Sequence, residues 1–85
     1  MSEQEIGIVR NYFHKIGVGA IEITGGELSL GDTIHIVGAT TDLTMKVESM
    51  QIDGSSVTHV KKDDAVGIRL GDRVRGNDKV YKVLE

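Results

Sequence analysis

The chain has no cysteine and no proline, and only three of its 85 residues are aromatic. The absence of cysteine excludes disulfide bonds and thiolate metal sites. Three aromatic side chains could form only a small platform for stacking nucleic-acid bases. Nothing in the sequence explains the absence of proline. A domain of this length buries about 60–65% of the surface that its unfolded chain exposes, so we expect a modest core.

Motifs for nucleotide binding and catalysis are also missing. There is no GxxxxGK[ST] loop, so the chain is not expected to bind GTP, and neither GxGxxG nor GxSxG occurs. The histidines His14, His35 and His59 are isolated in sequence, and none has the i, i+4 spacing of a helical zinc pair. Most aspartates fall at turns, where their side chains are expected to cap backbone amides. We therefore expect no enzymatic activity from the chain alone, no cofactor and no metal.

No apolar run reaches the length of a signal peptide or a membrane span. The first five residues, Met-Ser-Glu-Gln-Glu, are acidic and lead directly into a mixed sequence. These features predict a soluble cytoplasmic protein that does not enter a membrane and is monomeric. We expect a single domain over residues 1–85, with residues 1–4 disordered.

The net charge is −3, which argues against a general nucleic-acid binder. The charges are distributed unevenly, because residues 1–60 carry three basic and eight acidic side chains and residues 61–85 carry seven basic and five acidic ones. A solvated surface of mixed charge is one interpretation, and a patch facing a polyanion is the other. The basic side chains of the second segment are Lys61, Lys62, Arg69, Arg73, Arg75, Lys79 and Lys82.

Short alternating segments separated by turn residues predict an all-β fold. Residues 18–24, 33–38 and 65–70 each alternate apolar and polar side chains, and most of the eleven glycines lie between such segments. No stretch of ten or more residues has an apolar period of 3.6, so we expect no substantial helix. A small closed antiparallel barrel would stabilise a chain without disulfides, because closure removes exposed strand edges.

Two strands depart from simple alternation. Residues 5–16 have apolar side chains on both faces, which suggests a strand between the barrel interior and a covering element. Residues 43–53 change phase near residues 48–49, where we predict a β-bulge that bends the strand. The Asp53-Gly54 pair that follows predicts a hairpin turn.

Four segments carry a resemblance to a known family. They are Val-Gly-Ala-Ile-Glu-Ile at residues 18–23, Leu-Gly-Asp-Thr-Ile-His-Ile-Val-Gly at 30–38, Lys-Val-Glu-Ser-Met at 46–50 and Asp-Ala-Val-Gly-Ile-Arg-Leu at 64–70. In this order they resemble the second domain of translational GTPases such as elongation factor Tu. The whole chain is similar to small stand-alone translation elongation factor-like proteins. It also resembles the accessory domain at the end of some U32-type peptidases.

The resemblance to the translation factors implies a barrel of six to seven strands, of the translation-factor domain 2 type, without its GTPase partner. In elongation factor Tu this domain receives the aminoacylated 3′ end of tRNA, in a pocket formed by the Gly-Asp turn and the Val-Gly-Ile strand. The matching positions in this chain are Gly31, Asp32, Gly67, Arg69 and Leu70.

Three functions remain open from the sequence. The first is a module that binds tRNA or ribosomal RNA, with the matching positions above joined by phosphate contacts from Arg73, Arg75, Lys79 and Lys82. The second is an adaptor that binds a protein without RNA. Its partner would be a translation-related protein such as a GTPase, a peptidase-like enzyme or a second copy of the chain. The third is a small-molecule or catalytic role.

Overall fold

A computed structural model describes residues 2–84, which form ten β-strands and contain no helix. The all-β class predicted from the alternating segments is confirmed. The number of strands is larger than six or seven, because two of the expected strands are each interrupted and because residues 27–29, expected to lie in a connection, form a short strand. The strands are β1 (Ser2–Phe13), β2 (Val18–Ile23), β3 (Glu27–Ser29), β4 (Thr33–Val37), β5 (Asp42–Lys46), β6 (Met50–Ile52), β7 (Ser55–Ser56), β8 (His59–Lys61), β9 (Ala65–Arg69) and β10 (Lys79–Leu84).

The strands form an eight-stranded antiparallel sheet and a separate two-stranded ribbon. The sheet has the order β5-β4-β10-β1-β2-β9-β6-β7, and β3 pairs with β8 in the ribbon. Within residues 2–84, β5 and β7 do not pair with each other, so the sheet is not closed and the expected closed barrel is wrong. Single backbone hydrogen bonds extend the ribbon and the β4–β5 pair beyond their strands, from Leu30 N to Thr58 O at 3.0 Å and from Gly31 N to Val47 O at 2.9 Å.

Strand β1 is long because it pairs with both β10 and β2, and its pairing register shifts twice. One shift lies between Glu5 and Gly7 against β10, and the other lies between Val9 and Asn11 against β2. An extra residue at each shift turns the following side chains to the other face. Ile6 and Val9 are consequently both fully buried, although they are three positions apart. The apolar residues on both faces therefore reflect two register shifts within one strand.

The phase change predicted near residues 48–49 is present, but its cause differs. The chain leaves the sheet at residues 47–49, between β5 and β6, instead of forming a bulge within one strand. β5 pairs with β4, whereas β6 pairs with β9, so the interruption carries the chain between two distant parts of the sheet. Val47 and Met50 are each 1% exposed. Their burial explains why apolar residues occur at odd positions before the interruption and at even positions after it.

The hairpin predicted at Asp53-Gly54 is confirmed. It joins β6 to β7, and the two residues have φ angles of 51° and 80°. Positive φ at both central positions is the geometry that Asp-Gly favours in two-residue hairpins.

Three other turns share one construction, in which an aspartate caps a backbone amide as expected from the sequence. In each four-residue turn, the last residue is an aspartate. Its side-chain carboxylate accepts a hydrogen bond from the backbone N–H of the first residue. The backbone N–H of the aspartate donates to the carbonyl of the same first residue, and the residue before the aspartate has a positive φ. The side chain and the backbone thus close each turn together. The pairs are Ser29 and Asp32, Lys61 and Asp64, and Arg75 and Asp78.

The core is one cluster of aliphatic side chains from both the sheet and the ribbon. Ile34 and Ile36 of β4, Leu28 of β3 and Val60 of β8 are all fully buried in it. The expected disorder of residues 1–4 is not found from Ser2 onward, because β1 begins there and pairs with β10; Met1 lies outside the described residues. No helix in residues 2–84 is long and apolar enough to span a membrane.

Candidate functional site

Six of the nine residues predicted to contact RNA line three shallow clefts, and Leu70, Lys79 and Lys82 line none of the three. A first cleft of about 380 Å³ is lined by Gly31 and Asp32 together with residues of β4 and β10. A second, of about 450 Å³, contains Gly67 and Arg69, and we call it the Arg69 cleft. A third, of about 400 Å³, contains Arg73 and Arg75. The predicted residues therefore do not form one continuous binding site.

The Gly31-Asp32 turn has a structural explanation. Gly31 has a φ of 92°, a left-handed conformation that side chains disfavour. Asp32 Oδ2 accepts a hydrogen bond from Ser29 N at 2.8 Å and lies 3.4 Å from Lys82 Nζ. The carboxylate closes the turn and pairs with a cation that was expected to contact phosphate. Binding of a ligand by these residues stays a prediction.

Several other predicted contact residues are engaged within the fold. Leu70 is 6% exposed and belongs to the core, so its side chain cannot form part of a contact surface. Lys79 Nζ lies 3.7 Å from Glu5 Oε2, with both side chains about half exposed. Arg10, on the neighbouring strand, pairs with Glu22 at 2.6 Å. The basic excess of residues 61–85 is thus partly neutralised by carboxylates from the first half of the chain.

Arg69 differs from Lys79 and Lys82 in that its guanidinium, like those of Arg73 and Arg75, forms no ion pair or side-chain hydrogen bond within residues 2–84. It lies at the end of β9, opposite Val18 of β2. The remaining residues that line the Arg69 cleft are uncharged, namely Ile16, Val18, Ser49, Gln51 and Gly67. This cleft therefore combines one positive charge with an apolar side and two neutral polar side chains.

His35 is held between two carboxylates, one seven residues away in sequence and one 32 residues away. Its Nε2 lies 2.6 Å from Asp42 Oδ1, and its Nδ1 lies 2.8 Å from Glu3 Oε2. The hydrogen bond with Asp42 raises the pKa of His35 above its usual 6.5; burial of the ring opposes this, and Glu3 adds to it. His35 and Asp42 flank the β4–β5 turn, which is a local signal, but Glu3 is 32 residues away. We call this group the His35 clamp.

No group of three His, Asp or Glu side chains in residues 2–84 is placed to hold a metal ion. His35 contacts the carboxylates of Glu3 and Asp42, and His59 Nε2 lies 2.5 Å from Glu27 Oε1. The side-chain contacts of these two histidines are therefore with carboxylates and not with hydroxyl groups. The aspartates at three turns serve as caps, as the sequence predicted.

Comparison with known proteins gives sequence relatives among proteases. No protein-family model matches the chain. An uncharacterized protease of Methanocaldococcus jannaschii is 43% identical over 82 residues, which are 95% of this chain and 20% of that protein. A collagenase of Porphyromonas gingivalis is 38% identical over 72 residues, which are 84% of this chain and 20% of that protein. The chain thus spans about a fifth of the length of the curated relatives it matches.

Solved structures with the same fold come from two sources. The C-terminal domain of a Geobacillus thermoleovorans protein described as a U32 peptidase has a TM-score of 0.88 and 14% identity, with 95% of this chain and 93% of that one covered. GDP-bound aIF5B from Aeropyrum pernix has a TM-score of 0.73 and 14% identity, with 100% of this chain and 15% of that one covered. At this identity, both likenesses show the fold alone.

These comparisons correct the resemblance to the translation factors. The sequence relatives are a protease and a collagenase, so the prediction of a translation elongation factor-like, RNA-binding module is wrong. The fold itself also occurs in aIF5B. The chain is similar, over nearly its whole length, to one segment of proteases and to the C-terminal domain of a protein described as a U32 peptidase.

Proposed function

We propose that this chain is an accessory domain of U32-type peptidase assemblies and has no catalytic centre of its own. The observation that supports this most strongly is the coverage, because 95% of the chain matches only 20% of a protease. The rest of that protease is long enough to contain a separate catalytic part. A domain that recurs as one segment of such proteins acts through its surface.

The chemistry of the side chains favours the same role. Peptide hydrolysis requires an activated nucleophile or a metal-bound water, together with a proton donor. In residues 2–84 the best-placed titratable group is His35, and both of its ring nitrogens already contact carboxylates. The buried carboxylate of Asp78 caps a turn. Neither group is free to activate water or a serine.

The proposal can be tested by exchanging domains in the P. gingivalis collagenase. The matching 72-residue segment is deleted, replaced by a flexible linker of equal length, or replaced by this chain, and collagen hydrolysis is measured for each protein. We expect deletion and the linker to reduce hydrolysis and this chain to restore it. The isolated chain should release no peptides from the same substrate.

Two outcomes would contradict the proposal. One is hydrolysis by the isolated chain, which would place a catalytic centre within these 85 residues. The other is full activity of the collagenase with the linker in place of the segment, which would mean that the domain contributes nothing to the peptidase.

A further inference from the structure

The Arg69 cleft lies across three adjacent strands, on the face turned away from the core. Ala20 of β2 pairs with Gly67 of β9, and Gly67 pairs in turn with Gln51 of β6. The side chains that flank Gly67 along β9, Val66 and Ile68, point into the core. On the outer face, Gly67 contributes no side chain between Ala20 and Gln51, and Gly67 itself is only partly buried.

Gly67 keeps the cleft open. A Cβ at this position would lie 3.2 Å from Val18 Cγ1 and 3.8 Å from Gln51 O, so any side chain would occupy the space between the neighbouring strands. Its φ is not in the left-handed region, so the backbone conformation does not require glycine. Because Gly67 has no side chain, the space above the sheet at this position stays open.

One side of the cleft is apolar and exposed. Ile16, in the β1–β2 turn, is 60% exposed and lines the cleft beside Val18. Phe13, at the other end of the same turn, is 47% exposed. These are the two most exposed large apolar side chains in the described residues, and Phe13 ends β1 directly before the turn that contains Ile16. Exposed apolar side chains grouped at the edge of a cleft are typical of binding sites.

The cleft carries a positive charge and therefore favours a negatively charged ligand. Arg69 is its single charged lining residue, while Arg10, Lys79 and Lys82 pair with carboxylates elsewhere. A guanidinium can donate two parallel hydrogen bonds to one carboxylate. Ser49 and Gln51 add neutral donors and acceptors beside it.

We propose that the Arg69 cleft binds the C-terminal carboxylate of a peptide whose last side chain is apolar. The carboxylate contacts Arg69, and the terminal side chain packs on Ile16 and Val18. This inference rests on the proposed function, because hydrolysis by a peptidase creates new peptide C-termini. A nucleic acid fits less well, since binding a single strand uses several phosphate contacts and aromatic platforms, and this cleft is lined by one cation and no aromatic residue.

The inference is tested by titrating the full 85-residue chain with acetyl-Gly-Gly-Leu and recording backbone amide NMR shifts. The same peptide with an amidated C-terminus and acetyl-Gly-Gly-Gly with a free carboxylate are the ligand controls. We expect the free-carboxylate leucine peptide to shift the amides of Gln51, Gly67 and Arg69. Amidation should weaken binding about tenfold or more, because a charge-assisted pair is lost.

Protein variants separate the two halves of the cleft. Arg69→Gln should weaken binding about as much as amidation does. Ile16→Ser should reduce the preference for leucine over glycine, and it should not affect folding because Ile16 is exposed. Arg73→Gln, which changes a cation in a different cleft, is the matched control and should bind like the original chain.

Equal binding of the free and amidated peptides would overturn the inference, as would unchanged binding by Arg69→Gln. The inference would also be overturned if the peptide shifted amides around Arg73. It would be overturned as well if a single-stranded oligoribonucleotide shifted the Gly67 amide at a lower concentration than the peptide does. Absence of any shift with the leucine peptide up to its solubility limit would also refute it. None of these results changes the outcome expected for the collagenase exchange, so the two proposals can fail separately.

Discussion

Replacing Gly38 by alanine should destabilise the fold through one steric contact. A Cβ on Gly38 would lie 1.8 Å from Asp78 Oδ1 and 2.5 Å from Asp78 Cγ. Asp78 is 5% exposed, and its Oδ2 accepts a hydrogen bond from Arg75 N at 2.9 Å. Its backbone carbonyl accepts another from Val9 N at 2.8 Å. The carboxylate therefore cannot move away without breaking the turn that precedes β10.

The expected cost combines two terms. Forcing a buried group out of place costs about 1–3 kcal/mol, and losing the hydrogen bond to Arg75 N adds about 1 kcal/mol. The sum of about 2–4 kcal/mol is a large fraction of the stability of a small domain, which is of the order of 5 kcal/mol. With a urea m-value of about 1 kcal/mol/M, the unfolding midpoint should fall by about 2 M or more.

Two other glycines provide matched controls for this measurement. Gly71→Ala should change the free energy of unfolding by less than about 0.5 kcal/mol, because a Cβ there meets no atom within 4 Å and its φ is ordinary. Gly31→Ala should cost about 1–2 kcal/mol from its φ of 92° alone, since a Cβ there also meets nothing. If urea unfolding shows Gly38→Ala to be as stable as Gly71→Ala, the steric argument is refuted.

Three further predictions concern the His35 clamp, one turn and the core. Because the clamp raises the pKa of His35 above 6.5, its stabilisation is fully present below about pH 6.5 and is lost as the pH rises through the folded-state value. Asp42 is 82% exposed, so the loss of stability should be at most about 1 kcal/mol. In the Asp42→Asn variant, NMR titration should give His35 a lower pKa than in the original chain. An unchanged pKa would count against the clamp. Asp64→Ala should cost about 1–2 kcal/mol in urea unfolding by removing the cap on Lys61 N, whereas a neutral effect would mean that the backbone alone closes the turn. Ile34→Ala should cost about 2–5 kcal/mol because Ile34 is fully buried, and a loss below 1 kcal/mol would show that its surroundings collapse around the smaller side chain.

Strand positions with regular alternation could be predicted from the sequence. β2, β4 and β9 fall where their apolar side chains alternate, and Ile34, Ile36, Val66 and Ile68 are buried as expected. The Asp53-Gly54 hairpin could also be predicted, because positive φ at two successive positions restricts the residue types strongly. These features depend on local chemistry.

Features that depend on distant pairing could not be predicted. Ile6 and Val9 are both buried because the register of β1 against β10 shifts between Glu5 and Gly7. At the interruption at residues 47–49 the phase change was visible in the sequence, but the change of pairing partner from β4 to β9 was not. Local patterns identify a strand and its buried face, whereas its neighbours are set by contacts between remote segments.

The candidate site was predicted only in part. Gly67 and Arg69 were identified through a resemblance, and the structure places both in one cleft. Ile16, Ser49 and Gln51 were missed, because they come from a turn, an interruption and a different strand, and no sequence spacing connects them. The other predicted residues lie elsewhere, since β10 and the residue 71–78 segment pair with other parts of the fold.

The central claim is that this chain acts as an accessory domain of a peptidase, and the exchange in the P. gingivalis collagenase tests it most directly. The measurement is the rate of collagen hydrolysis with the matching 72-residue segment replaced either by this chain or by a linker of equal length. Recovery with this chain and a marked loss with the linker is the predicted result. Equal rates for the two proteins would contradict the account.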